Sequence, residues 1–338
     1  MNAPDRAAWL AARRSGIGGS DIAAILGLSP YKTPLQLWMD KTGRAEDVAP
    51  DAAAEERMYW GTVLEDVVAR HYAEERDFKL QRINQMLRHP DVPVALANID
   101  RAVVVPNSRA RWDDTARRVL GAERILEVKT AHAMASNSPE WGAPGTDEVP
   151  RHYWLQCLWY MGITGLPRAD LAVLFGGQKS VVYNIEFDAS LFEDILETAQ
   201  DWWRAHVEAD SPPAPSSEDD ARRLWTAHIA GKEKIVDVNV AADVDELVAI
   251  KAQIKALEEK EQDLRDRILP AIGDAEVISY MGRRLATWKA NKASQKTDWK
   301  SSFLDASKHI EAEIAALIRD NHTTTETGAR VLRLSAGL

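Results

Sequence analysis

Residues 124–130 read RILEVKT, and the fold turns on what this short run is. Its apolar and charged residues alternate with the period of a strand, so Glu127 and Lys129 share one face while Leu126 and Val128 point to the other. Taken alone, a Glu-x-Lys pair is satisfied by a same-face ion pair on an exposed strand. Its neighbours give it a second reading. Upstream, VALANIDRAVVV at 94–105 also has strand character, and Asp100 lies inside it, where a carboxylate is disfavoured by propensity and needs a partner or a cation. Adjacent strands would bring Asp100, Glu127 and Lys129 together. Residues 53–76 have helical periodicity through Trp60, Leu64, Val67, Val68 and His71 or Tyr72, and Glu65, four residues after Gly61, borders that stripe and is directed at the sheet. Three convergent carboxylates repel one another, which a hard divalent cation such as Mg²⁺ relieves. The single cysteine, Cys157, and the lack of a histidine-rich cluster argue against zinc.

Around this centre the chain reads as a small mixed sheet with helices on its faces. A polar loop spans 106–121. Pro150 opens a helix, RHYWLQCLWYMGI, and 169–187 reads as a hairpin turning at Gly176–Gly177. Asp188 then caps a helix to about Val207. A proline- and serine-rich stretch, ADSPPAPSSEDD at 209–220, marks a linker, so the expected domains are 1–210 and 221–338 with 211–220 between them. In the second part Leu247, Ile250, Ile254, Leu257, Leu264 and Ile268 follow heptad spacing, broken by Glu261, and predict a helical hairpin or coiled-coil arm. Strands are expected after Gly273. Between Gly282 and Lys300 six basic residues stand against one acid, Asp298. Arg283, Arg284 and Lys289 with Trp288 suit a nucleic-acid surface, and a solvated basic hairpin fits the same residues.

The third informative stretch is RRSGIGGSDIAAILGLSPY at 13–31. A glycine-rich turn running into a helix exposes N–H groups and the positive end of a helix dipole, which suits an anion. Known nucleotide motifs do not fit, because Asp21 stands where the dinucleotide fingerprint needs glycine and no Gly-Lys-Ser/Thr is present. A plain helix cap at Ser20 is the alternative. Composition restricts the choice of function: 338 residues with 45% hydrophobic and 28% charged side chains describe a globular protein. No apolar run nears the ~20 residues of a membrane span and no signal peptide is evident, so a cytoplasmic location is expected. A net charge of −10 excludes a wholesale basic coat but not a basic channel.

Taken in order, Gly-x-x-x-Glu on a helix, Asp on a strand, Glu-x-Lys on the next and a helix carrying Tyr and Gln resemble the PD-(D/E)xK nucleases. The Gly-Gly-Ser-Asp turn followed by Gly-x-Ser-Pro-Tyr narrows the resemblance, over residues 9–205, to the YqaJ-type viral recombinases and the exonuclease of phage lambda. Ile99 replaces the proline often found before the first Asp of that pattern. The resemblance implies an α/β restriction-endonuclease-like core with a C-terminal α+β extension, and a 5′-to-3′ exonuclease that digests linear double-stranded DNA. Its 3′ tails would feed recombination by strand annealing. It further implies Asp100, Glu127, the Val128 carbonyl and Glu65 as ligands of one or two Mg²⁺ ions, with Mn²⁺ substituting. Lys129 and Gln156 would act on the attacking water, with Tyr153 beside them. Arg13, or its neighbour Arg14, would hold the terminal 5′-phosphate with Gly19 and Ser20. A homotrimeric ring around DNA and a single-strand annealing protein as partner belong to the same set of expectations. The alternatives are another endonuclease of this fold and a non-catalytic DNA-binding recombination protein.

Overall fold

The computed structural model describes residues 11–45, 51–292 and 296–323. Residues 5–15, DRAAWLAARRS, read as a helix from their sequence and lie partly outside the described residues. The chain divides into two compact units, 1–224 and 225–338.

In the first unit the described residues form a five-stranded mixed sheet. Its strands are β1 (Lys79–Gln81), β4 (Arg101–Val104), β7 (Ala122–Ala131), β8 (Arg168–Phe175) and β9 (Lys179–Glu186), in that spatial order. All neighbours are antiparallel except β7 and β8, which run parallel from Ile125–Ala169 to Ala131–Phe175. A parallel pair requires a crossover, supplied by the helix Arg151–Thr164. The helix Ala52–Arg76, capped by Asp51, covers one sheet face with Val68, Ala69 and Tyr72 against Leu126, Val128 and Ala172. On the other face lie the helices Gly19–Ile25, Arg151–Thr164 and Ala189–Trp202, around Ile125, Leu171 and Val173. Helices on both faces explain why β7 is buried on both sides, Glu127 included, at 2% exposure. The mixed α/β core expected from the sequence is the observed one.

Four expectations are corrected. Residues 94–105 are two strands: β3 (Leu96–Ala97) pairs with β2 (Leu87–Arg88), and β4 starts only at Arg101. Asp100 therefore ends the ladder rather than lying within it, because its own carboxylate takes the Val128 N–H at 2.9 Å. The loop at 106–121 contains a small hairpin, β5 (Arg111–Asp113) with β6 (Arg118–Leu120). Along Ala52–Arg76 the apolar stripe is buried only towards its end, since Trp60 and Val67 stay about half exposed. Finally, the first unit extends past 210 to Leu224. Asp220, on the helix Glu218–Leu224, is fully buried and accepts from Thr33 Oγ1 at 2.7 Å, which ties the proline-rich stretch to the core of the first unit.

The second unit carries a single 35-residue helix, Val238–Ile272, capped by Asp237. The heptad residues Ile250, Ile254, Leu257, Leu264 and Ile268 are exposed along it. Next comes the hairpin β10 (Val277–Tyr280) and β11 (Arg283–Thr287), turning at Met281 and Gly282 with positive φ at both, as a type I′ turn requires. The strands expected after Gly273 are this hairpin, and of the basic run 282–300 only Arg283 and Arg284 lie on it. Asp298 accepts the Ser301 N–H and starts the helix Trp299–Ala306, and Ala312–Asn321 follows. Among the described residues no helix is long and apolar enough to cross a membrane.

Candidate active site

The end of β4, the middle of β7 and the helix Arg151–Thr164 converge on one cavity. Its volume is about 260 Å³, and Arg13, Gly18, Gly19, Ser20, Asn98, Asp100, Glu127, Lys129, Gln156 and Tyr160 line it. Strand alternation places Glu127 and Lys129 on the face under that helix. Lys129 Nζ donates to Glu127 Oε1 at 2.5 Å, and Gln156 Nε2 donates to the same oxygen at 2.6 Å and contacts Tyr160 Oη at 3.2 Å. The other oxygen, Glu127 Oε2, is buried with no hydrogen-bond partner. Tyr153 does not line the cavity; Lys129 Nζ sits 5.6 Å from its ring centre.

Electrostatics at the site are those of two carboxylates confined with one cation. Burial pushes the Glu127 carboxyl up to about 8, and the Asp100 charge adds to this against the pull of Lys129. Asp100 is also raised, by burial first, although Lys129 and the Val128 N–H hold it down in part. Burial alone would lower the Lys129 ammonium, but Glu127 and Asp100 raise it above its ordinary value, so it is a cation at neutral pH.

Glu65 does not complete a cluster with these residues. It accepts from Arg101 Nη1 at 2.7 Å, and Arg101 also binds Asp66, so a buried guanidinium occupies the carboxylate expected to face Asp100 and Glu127. Among the described residues no three acidic, histidine or cysteine side chains are gathered closely enough to hold a metal ion. Asp100 and Glu127 nonetheless fit one. An orphaned buried carboxylate oxygen, a second carboxylate and the backbone carbonyl of Val128 are hard oxygen donors. Mg²⁺ is commonly held by one or two carboxylates while keeping several waters.

The glycine-rich turn lines the same cavity. Gly18, not Ser20, is the N-cap of Gly19–Ile25, and Ser20 lies in the first turn. Arg13 Nη2 donates to Ser20 Oγ at 2.6 Å, placing a guanidinium and a hydroxyl side by side at the cavity. Arg14 faces Asp40 instead, at 3.8 Å. In the second unit Arg283, Arg284, Trp288 and Lys289 are exposed, and Lys289 pairs with Glu276 at 2.6 Å. Asn98, Arg101 and Tyr160 are site residues that the sequence reading omits. Tyr160 is one helical turn beyond Gln156 and Asn98 two residues before Asp100, so periodicity could have found both, whereas Arg101 carries no such signal.

Several known proteins resemble this chain. Residues 8–167 match the family described as the YqaJ-like viral recombinase domain. The uncharacterized protein YqaJ of Bacillus subtilis (strain 168) is 33% identical over 314 residues, covering 90% of each chain. The alkaline exonuclease LHK-Exo of Laribacter hongkongensis has a similar structure, at TM-score 0.43 and 16% identity over 60% of this chain and 93% of that one. A phage-related exonuclease of Haemophilus somnus 129PT matches at TM-score 0.39 and 14% identity, covering 58% of this chain and 96% of that one.

Proposed function

The chain belongs to the YqaJ-like viral recombinase family, and we propose that its cavity is the active site of a metal-dependent 5′-to-3′ exonuclease acting on linear double-stranded DNA. The observation that carries this reading is that the Arg13–Ser20 wall and the Asp100, Glu127, Lys129, Gln156 wall line one cavity. An end-directed nuclease needs that adjacency, because holding the terminal phosphate fixes which linkage reaches the reacting groups.

Asp100, Glu127 and the Val128 carbonyl would hold Mg²⁺. Bound there, the ion would lower the pKa of a coordinated water and offset charge on the scissile phosphate. Gln156 and Lys129 both donate to Glu127 Oε1 and leave Oε2 as the unpartnered oxygen that would serve the ion. As a cation, Lys129 orients the attacking water and favours the charge that builds on the phosphate oxygens. Arg13 and Ser20 bind the 5′-phosphate with the N–H groups of the helix start. Tyr153 lies behind Lys129 and supports it. Glu65 joins the ligands only by giving up Arg101. The exposed basic residues Arg283, Arg284 and Lys289, with Trp288, provide a further contact for DNA. A homotrimer around the duplex, a single-strand annealing partner that coats the 3′ tail, and a place in a bacterial cytoplasm complete the proposal.

The end-recognition half is tested with duplexes bearing 5′-phosphate or 5′-hydroxyl ends. A bidentate arginine contact to phosphate contributes about 1.5–3 kcal/mol, or roughly tenfold to a hundredfold in rate. Wild type is expected to prefer phosphorylated ends by that factor, Arg13→Ala to abolish the preference, and Arg14→Ala to retain it. Equal wild-type rates on both ends would reduce the glycine turn to a helix cap.

A further inference from the structure

Asp21 and Lys41 form an ion pair at 2.7 Å whose side chains are 4% and 1% exposed. Neither lines the cavity. Removing two charges from water costs several kcal/mol for each ion, and an apolar pair of similar volume often stabilises a fold as well or better. The bonds the pair makes suggest what it does instead. Asp21 Oδ2 accepts both the Lys41 ammonium and the Gly18 N–H, the latter at 2.9 Å, and so closes the turn that presents Ser20. Lys41 Nζ also donates to the Arg13 carbonyl at 3.0 Å, tying the backbone of Arg13 to that turn. The Arg13 guanidinium then meets Ser20 Oγ. One buried ammonium thus connects the two halves of the Arg13–Ser20 wall.

We infer that Asp21 and Lys41 are positioning residues for 5′-phosphate recognition. They set the separation of Arg13 from Ser20 and hence the discrimination between phosphorylated and hydroxyl ends, not the hydrolytic step. The pair also has an electrostatic effect. A carboxylate next in sequence to Ser20 would repel a phosphate, and Lys41 neutralises it within hydrogen-bond distance. This inference rests on the reading of the cavity as a phosphate site.

The test compares Lys41→Met with the double variant Asp21→Asn, Lys41→Met. The double variant leaves no lone buried charge, and its Asn can still accept from Gly18. Circular dichroism and thermal melting establish folding, and kcat and KM are measured on 5′-phosphorylated and 5′-hydroxyl duplex. In both variants KM for phosphorylated ends should rise roughly tenfold to a hundredfold, with kcat and hydroxyl-end digestion within about twofold of wild type. A folded double variant with wild-type discrimination, or one slowed equally on both ends, would overturn the inference. Absence of discrimination in the wild type would overturn the reading of the cavity itself, and the role of the pair with it. The wild-type and variant arms therefore fail separately.

Discussion

Substituting Gly19 should damage both folding and turnover, whereas the same change at Gly18 should do little. A Cβ on Gly19 would lie 2.7 Å from Tyr160 Cε1 and 3.0 Å from Gln156 Cγ. Ordinary carbon contacts are about 3.5–4.0 Å, so the Tyr160 ring must retreat by nearly 1 Å or the helix Gly19–Ile25 must lift from its neighbour. Tyr160 is buried and cannot swing into solvent. Overpacking of this kind costs about 1–3 kcal/mol, offset by at most ~1 kcal/mol of helix propensity gained by alanine. Gly19→Ala should therefore lose about 1–2 kcal/mol, or ~2–8 °C in Tm. Moving Gln156 also withdraws its donor from Glu127 Oε1, a charge-assisted bond of about 1.5–3 kcal/mol, so kcat should fall by up to roughly a hundredfold. At Gly18 the added Cβ meets only Asp21 Oδ2, at 3.6 Å, and its φ of −92° suits any residue. Gly18→Ala should stay within ~1 kcal/mol and keep its rate. Thermal melts and loss of duplex fluorescence on a linear substrate measure both. Equal behaviour of the two variants, or a wild-type rate for Gly19→Ala, would refute the reasoning.

Other expected outcomes follow from the charged groups behind the sheet and at its end. Tyr72 Oη donates to buried Asp170, which Asn184 and Arg124 also serve at 2.8 and 3.3 Å, so Tyr72→Phe should cost about 1–2 kcal/mol by denaturant melt. Burial first, then Asp170, raises the Tyr72 phenol above its usual 10. That stabilisation is fully present below pH ~10 and lost as the pH rises further, so the gap between wild type and Tyr72→Phe should narrow in alkaline melts; a constant gap would contradict it. Arg101→Met frees Glu65 and removes a cation beside the carboxylates, which should tighten Mg²⁺ or Mn²⁺ binding roughly tenfold in calorimetry. Unchanged affinity would remove Glu65 from the ligand set.

Much of the fold was legible because its elements follow simple periods. β7, the crossover helix and the β8–β9 hairpin stand within a residue or two of where alternation, Pro150 and the Gly176–Gly177 turn put them. Glu127 and Lys129 could be placed together for the same reason, since both lie on one regular strand, whereas Gln156 joined them only through the family resemblance. What was not legible depends on single long-range contacts. Asp100 ends a strand because its carboxylate substitutes for a ladder partner, and Glu65 is engaged across 36 residues by Arg101, whose side chain no pattern orients. The domain boundary at Leu224 depends on the buried Asp220–Thr33 bond across 187 residues. Lys41 closes an otherwise unremarkable helix, and nothing in its neighbourhood marks it as buried. The 35-residue arm kept its heptads, but spacing alone could not tell one helix from a hairpin.

The central claim is that Asp100, Glu127 and Lys129 form the hydrolytic centre of an end-dependent nuclease. Release of mononucleotides from 5′-phosphorylated linear duplex in Mg²⁺, beside covalently closed circular duplex, tests it most directly when wild type is paired with Glu127→Gln. The account predicts that wild type consumes the linear DNA from its 5′ ends and spares the circle, and that folded Glu127→Gln releases nothing. Cleavage of the closed circle, or nucleotide release retained by Glu127→Gln, would contradict it.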